Sequence, residues 1–329
     1  MQLLLDNFWA YTVTGLAFGA VYSMVALGYT LVYGVLRLIN FAHSEVWMWG
    51  SFAAVWVLTA VKAGQSAGAA GVVGYILLGT VAAMAVSGLV ALILEYVAYR
   101  PLRKRNAPPL VALISAIGAS FVLSEMIGLR DKPFILMGND DQFQAYIGRP
   151  RENAVMPKII NAEPVFTLFD YQVTNVDIIV LISALVMMLV LDQFVSRSRL
   201  GRGIRAVAQD PEAAALMGVN RDRVIRITFL IGGLMAGFAA MLYLLRIDAT
   251  RYNAGFILGV KAFTAAVLGG IGNLRGALIG GFVLGVAENY GSALIGSQWK
   301  DVVAFLLLVV ILLFRPTGLL GESLGRARA

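Results

Sequence analysis

An all-α, polytopic membrane protein of about nine transmembrane helices (8–10), some of them broken or re-entrant, is predicted by three observations. Of the 329 residues, 59% are hydrophobic and only 14% are charged, against about 25% charged in an ordinary soluble domain. So few charges could not cover a soluble surface. Long stretches contain none at all, as between Asp6 and Arg37 and between Lys62 and Glu95. A helix of about 20 apolar residues crosses a bilayer core, so each stretch can cross once with residues to spare. Finally, these stretches do not alternate with period two. Lipid offers the backbone no hydrogen-bond partner, which leaves helices rather than a closed barrel.

In chain order the candidate spans are 9–34, 46–62, 72–97, 109–128, 176–195, 227–245, 256–271, 277–295 and 299–314. The sequence opens Met1-Gln2-Leu3-Leu4-Leu5-Asp6 with no basic region before the apolar stretch. The first span is therefore expected to stay as a membrane helix rather than serve as a secretory signal. Gly15, Gly19, Tyr22, Ala26, Tyr29 and Tyr33 share one stripe of it. That stripe reads either as a pathway face whose hydroxyls meet a polar solute, Tyr22 among them, or as a helix-packing surface with interfacial tyrosines.

Between the first two spans, Asn40, His43, Ser44 and Glu45 interrupt the apolar pattern. Asn40 suits a helix N-cap. A helix starting there would aim free N–H groups at a carboxylate, as in solute sites built from broken helices. The competing reading is a turn with a solvated His43. Trp47, Trp49 and Trp56 on the second span, with Trp9 and Trp299 at span starts, suggest interfacial aromatic belts. The stretch 63–98 is long enough to hide a kink or a re-entrant turn, and Glu95 and Glu125 near span ends are expected at the interface.

The segment 256–271 is short and glycine-bounded, as half of a broken helix would be. It carries Lys261 and Thr264, and the next span carries Glu288. Ionisable groups at membrane depth are costly. Lys261 and Glu288 therefore read as a buried structural ion pair, as groups for solute selection or gating, or, for the lysine, as a side chain snorkelling to a headgroup. Small-xxx-small pairs at Gly233/Gly237, Gly255/Gly259, Gly272/Gly276 and Gly281/Gly285 let helices approach closely.

The net charge of +7 is distributed as topology demands rather than as nucleic-acid binding would. Arg100, Arg103, Lys104 and Arg105 form a basic link, and the 196–226 segment holds Arg197, Arg199, Arg202, Arg205, Arg221, Arg223 and Arg226. Both belong in the cytoplasm. The 129–175 loop balances Arg130, Lys132, Arg149, Arg151 and Lys158 against Asp131, Asp140, Asp141, Glu152, Glu163 and Asp170, and is expected outside. The N-terminus then falls outside, and Arg315, Arg326 and Arg328 inside. The span 1–329 reads as one membrane domain.

Bond chemistry finds no support. There is no cysteine, His43 is the single histidine, and no phosphate-binding loop occurs. Gly270-Ile271-Gly272-Asn273-Leu274-Arg275 lacks the last glycine of a dinucleotide fingerprint. No catalytic residue, metal ligand or bound cofactor is expected, so ATP and Mg²⁺, if used, act on another chain. An ion-gradient-driven secondary transporter is the different-class alternative.

One local signal stands out. Asp210 is a good N-cap, Pro211 fits the first helical position, Glu212 favours the positive end, Ala213 and Ala214 follow, and Gly218 can close the helix. Two turns are too short to be stable alone, so such a helix makes sense docked into another protein.

This segment resembles the Glu-Ala-Ala-x-x-x-Gly loop of ABC-importer permeases, without the proline of the longer consensus. Nearly the whole chain is similar to the LivH-type permeases of branched-chain amino-acid ABC importers. The similarity is carried by Ala26–Gly34, Ile39–Glu45, Tyr99–Leu102, Leu113–Gly118, Gly259–Gly272 and Arg315–Gly318. Ser44 replaces a frequent glycine, and Asn273–Arg275 a frequent Ser-Ile-Pro. The resemblance implies that Asp210–Ala214 and Gly218 couple the chain to an ATPase. It further implies a second homologous permease, two cytoplasmic ATPases and a periplasmic solute-binding protein as partners. The location implied is the bacterial inner membrane and the mechanism alternating access. Solutes would be Leu, Ile and Val, or, as the runner-up, urea or short amides.

Overall fold

The computed structural model describes residues 7–64, 68–132, 147–169, 171–315 and 317–321. Asp140, Asp141, Asp170, Pro316, Arg326 and Arg328 lie outside them. The helices are α1 Phe8–Leu36, α2 His43–Ala60, α3 Gly68–Lys104, α4 Pro109–Gly128, α5 Asn175–Arg197, α6 Arg199–Gln209, α7 Pro211–Leu216, α8 Arg221–Ile247, α9 Ala254–Gly269, α10 Leu274–Ile295 and α11 Lys300–Phe314. Every expected span is a helix, and among the described residues seven helices are long and apolar enough to cross a membrane, α11 being counted together with the 3₁₀ turn Ser297–Trp299 that precedes it. The two others differ for visible reasons. α2 has 18 residues but begins with polar His43, Ser44 and Glu45. α9 has 16 residues, or about 24 Å at 1.5 Å per residue, short of the roughly 30 Å hydrocarbon core.

The all-α fold holds, with two short strand pairs beside the helices. Strands β1 Ala154–Val155 and β4 Ala249–Thr250 pair antiparallel, and β2 Pro164–Leu168 and β3 Tyr171–Thr174 form a second pair. The second pair leads into α5 through a capping box, with Thr174 accepting from the Asp177 amide and Asp177 answering Thr174.

The chain forms two compact units. The first contains Met1–Arg37, Glu163–Thr228 and Val260–Ala329. Its centre is the α1–α10 seam. A side chain on Gly19 would meet Gly281 O and Phe282 Cα at 2.8 Å, and one on Gly15 would meet Val286 Cα at 2.7 Å. The glycine stripe of α1 is thus a packing surface at Gly15 and Gly19. Ser23 Oγ adds a polar rivet, donating to Gly19 O at 2.7 Å and lying 2.8 Å from Leu278 O of α10. At the far end of α9, Leu319 N donates to Leu268 O at 2.7 Å and Leu320 N to Gly269 O at 3.0 Å, satisfying carbonyls that a helix end leaves open. Gly270 and Gly318, at φ 106° and 79°, let the two backbones meet.

The second unit contains Leu38–Ala162 and Phe229–Gly259. Here α2, α3 and α8 cross at small residues. A side chain on Gly50 would lie 3.1 Å from Ala83 O and Gly237 Cα, and Ser87 Oγ donates to Val46 O at 2.8 Å. α3 neither folds back nor breaks. It widens into a π-turn at Glu95–Tyr99 and continues through Arg100–Lys104, so the expected basic link is the helix end itself. Glu95, expected at the interface, is instead fully buried, paired with Arg103 at 3.0 Å. Trp47 likewise leaves the aromatic belt for the core, edge-on to Tyr243.

Candidate functional site

The predicted sites fall into three places. The first is α7. Asp210 is extended, and its Oδ1 accepts from Glu212 N at 2.9 Å and Ala213 N at 3.0 Å. Two of the amides that a helix start leaves unpaired are thereby satisfied. Pro211 begins the helix, and Gly218 follows its end at φ 83°, a conformation that costs glycine little. Ala214 packs inward, whereas Glu212 and Ala213 are exposed. Leu216 and Met217 are 89% and 85% exposed, two large apolar side chains at the tip of a short helix. Sequence reasoning missed this pair; an apolar pair just before the closing glycine was the available signal.

Behind α7, helix α6 is fixed to α5. Ser198 Oγ accepts from Gly201 N at 2.8 Å, and the Arg205 guanidinium donates to Val195 O. Gly201 sits where any side chain would run into the Phe194 and Val195 backbone.

The second place, in the first unit, joins Tyr22, Lys261 and Glu288. Lys261 Nζ lies 2.5 Å from Glu288 Oε1 and 2.6 Å from Asp301 Oδ1, and 5.8 Å from the Tyr22 ring centre. Asp301, at the start of α11, was absent from the sequence reading because nothing in its own segment marks it. One cation therefore serves two carboxylates on separate helices. Glu288 is fully buried, while Asp301 keeps 47% of its side chain exposed. Thr264 stays apart: its hydroxyl donates to Val260 O at 2.8 Å on its own helix.

The third place, in the second unit, gathers Asn40, His43, Ser44 and Glu45 at the start of α2. Asn40 does not cap the helix as expected; Ala42 occupies that position without a side-chain bond. Asn40 Oδ1 instead accepts from Ala42 N at 3.2 Å and from the Tyr99 hydroxyl at 2.9 Å, tying the turn to the π-turn of α3. Tertiary bonding displaced the local capping preference. Ser44 Oγ donates to Phe41 O at 3.1 Å. Glu45 Oε1 accepts from Ser120 Oγ at 3.2 Å, and any side chain at position 255 would collide with its carboxylate. His43 is 1% exposed, which overturns the reading of a solvated turn.

Among the described residues, no group of three or more His, Asp or Glu side chains could hold a metal ion. Residues 11–312 match the family model described as the permease component of branched-chain amino acid transport systems. The chain is 40% identical over 316 residues to the high-affinity branched-chain amino acid transport system permease protein BraD of Pseudomonas aeruginosa, covering 94% of both. Against the LivH permease of Escherichia coli K12 the identity is 39%, with the same coverage. A probable LivH permease of Methanocaldococcus jannaschii is 24% identical, across 91% of this chain and 88% of the relative.

Proposed function

The chain belongs to the permease family of branched-chain amino acid transport systems, and on that premise we propose that it moves leucine, isoleucine and valine across the bacterial inner membrane as one permease of an ATP-driven importer. Its partners in this reading are a second homologous permease, two cytoplasmic ATPases and a periplasmic solute-binding protein.

The observation that supports it best is α7, capped at one end by Asp210, closed by Gly218 at the other and exposing Leu216 and Met217. Large apolar side chains so exposed in water favour burial in a partner. A cytoplasmic ATPase groove that receives them would take hold of Glu212 and Ala213 on the same small helix. ATP-driven closure of the ATPases then moves α7, and the spans tied to it rock around a central path. The chain itself makes and breaks no covalent bond. Tyr22, Lys261, Thr264 and Glu288 of the first unit, and separately Asn40, His43, Ser44 and Glu45 of the second, are the candidate polar groups for the solute.

Glu212→Arg tests the docking role. In proteoliposomes holding the complete assembly, ATP-driven leucine uptake should fall at least about tenfold, a change of 1.4 kcal/mol or more, while the chain still inserts. Unchanged ATP-driven uptake would refute docking through α7. Uptake that persists without ATP and follows an ion gradient would favour a secondary transporter.

A further inference from the structure

Two helix ends meet at Arg37. The residue closes α1 in the left-handed conformation, φ 54°, with its amide donating to Tyr33 O at 2.7 Å. Its side chain turns to another element. Nη2 lies 3.2 Å from Ala208 O and 3.1 Å from Gln209 O, the last carbonyls of α6. Those carbonyls have no partner within their own helix and carry the negative end of its dipole. A planar guanidinium can serve both at once with charge and geometry together.

The place of this contact gives it meaning. Gln209 is followed by Asp210, the cap of α7, so no slack separates the carbonyls held by Arg37 from the docking helix. α6 is also bound to α5, through Ser198 at its start and Arg205 along its length. A displacement of α7 therefore reaches α5 along the chain and reaches α1 through the Arg37 side chain. α1 passes it on, because its seam with α10 is closed by Gly15, Gly19 and the Ser23 hydroxyl, and Tyr22 faces the Lys261 ammonium.

We infer that Arg37 is a positioning residue that delivers the movement of α7 to the first span, so that its loss separates ATP hydrolysis from transport without releasing the ATPase. The inference rests on the importer reading above. The hydrogen bonds of the Arg37 guanidinium go to Ala208 O and Gln209 O of α6, not to Leu216, Met217 or the Lys261 cluster.

The test uses the complete assembly in proteoliposomes, with wild type, Arg37→Ala and Arg37→Lys compared for leucine transported per ATP hydrolysed. In Arg37→Ala the ATPase should co-purify in wild-type amount and still turn over, while the transport-to-hydrolysis ratio drops at least about fivefold, the lower end of ordinary coupling between sites. Arg37→Lys, which keeps the charge but not the fork, should recover part of the ratio. A merely structural role would lower yield or melting temperature and leave the ratio alone. An unchanged ratio in Arg37→Ala overturns the inference, as does loss of the ATPase from that variant, which would make Arg37 part of the docking itself. A wild-type complex that transports leucine without ATP overturns the importer reading together with the inference, and shows it before any variant is made.

Discussion

Lys261 illustrates how much a single buried charge can commit. With Glu288 fully buried and Asp301 half in solvent, one ammonium holds α9, α10 and α11 together. Removing it leaves Glu288 without its counter-charge, and breaking a buried pair from one side costs about 3–5 kcal/mol. Lys261→Met should therefore lower the melting temperature of the purified chain sharply, and Lys261→Met/Glu288→Leu should recover most of it. A single variant that melts like wild type would show that the pair carries no stability. If the double variant is stable but its assembly no longer takes up leucine, the cluster also serves the solute. The sequence pointed to Lys261 and Glu288 because charge at membrane depth is conspicuous in an apolar run. Asp301, one residue from Lys300 at a span start, looks like any interfacial acid until the fold brings it to the lysine.

At the scale of helices, glycines decide which spans pack backbone to backbone. Gly19→Leu would drive a side chain into Gly281 and Phe282, and overpacking of this kind costs about 1–3 kcal/mol. A Cβ added at Gly34 on the same helix meets nothing within 4 Å, so Gly34→Leu should be tolerated better. Thermal melting in detergent should separate the two, and equal melting would place the seam elsewhere. The cap of α7 makes a second prediction. Asp210→Ala removes the acceptor of two amides and should cost about 1 kcal/mol of local helix stability, read as faster amide exchange at Glu212 and Ala213. Unaltered exchange there would mean that the cap contributes nothing. α7 was legible in the sequence because capping is local chemistry: its start, first turn and closing glycine sit within nine residues, Asp210 to Gly218. The π-turn was not, since it is accompanied by the pairing of Glu95 with Arg103 and of Tyr99 with Asn40, contacts set by the winding of the helix and the tertiary fold.

For the molecule as a whole, hydropathy disclosed the helices because each apolar run is a property of its own segment. The division into two units stayed hidden because it rests on contacts between distant stretches, such as Gly15 with Val286 and Gly50 with Gly237. The topology expected from the basic residues can be read directly, since the sequence contains no cysteine and any introduced thiol is the sole target. A membrane-impermeant maleimide should label Thr167→Cys in intact spheroplasts and leave Glu212→Cys untouched until the membrane is opened. The reverse pattern would invert the orientation and remove the basis for ATPase docking. The pairing of Leu319 and Leu320 with the carbonyls of Leu268 and Gly269 also fixes an order of events during biosynthesis. A ribosome makes α9 well before it reaches residue 320, so α9 must wait with an unfinished terminus while α10 and α11 enter the bilayer. Only after residue 320 has been made can the returning backbone close it.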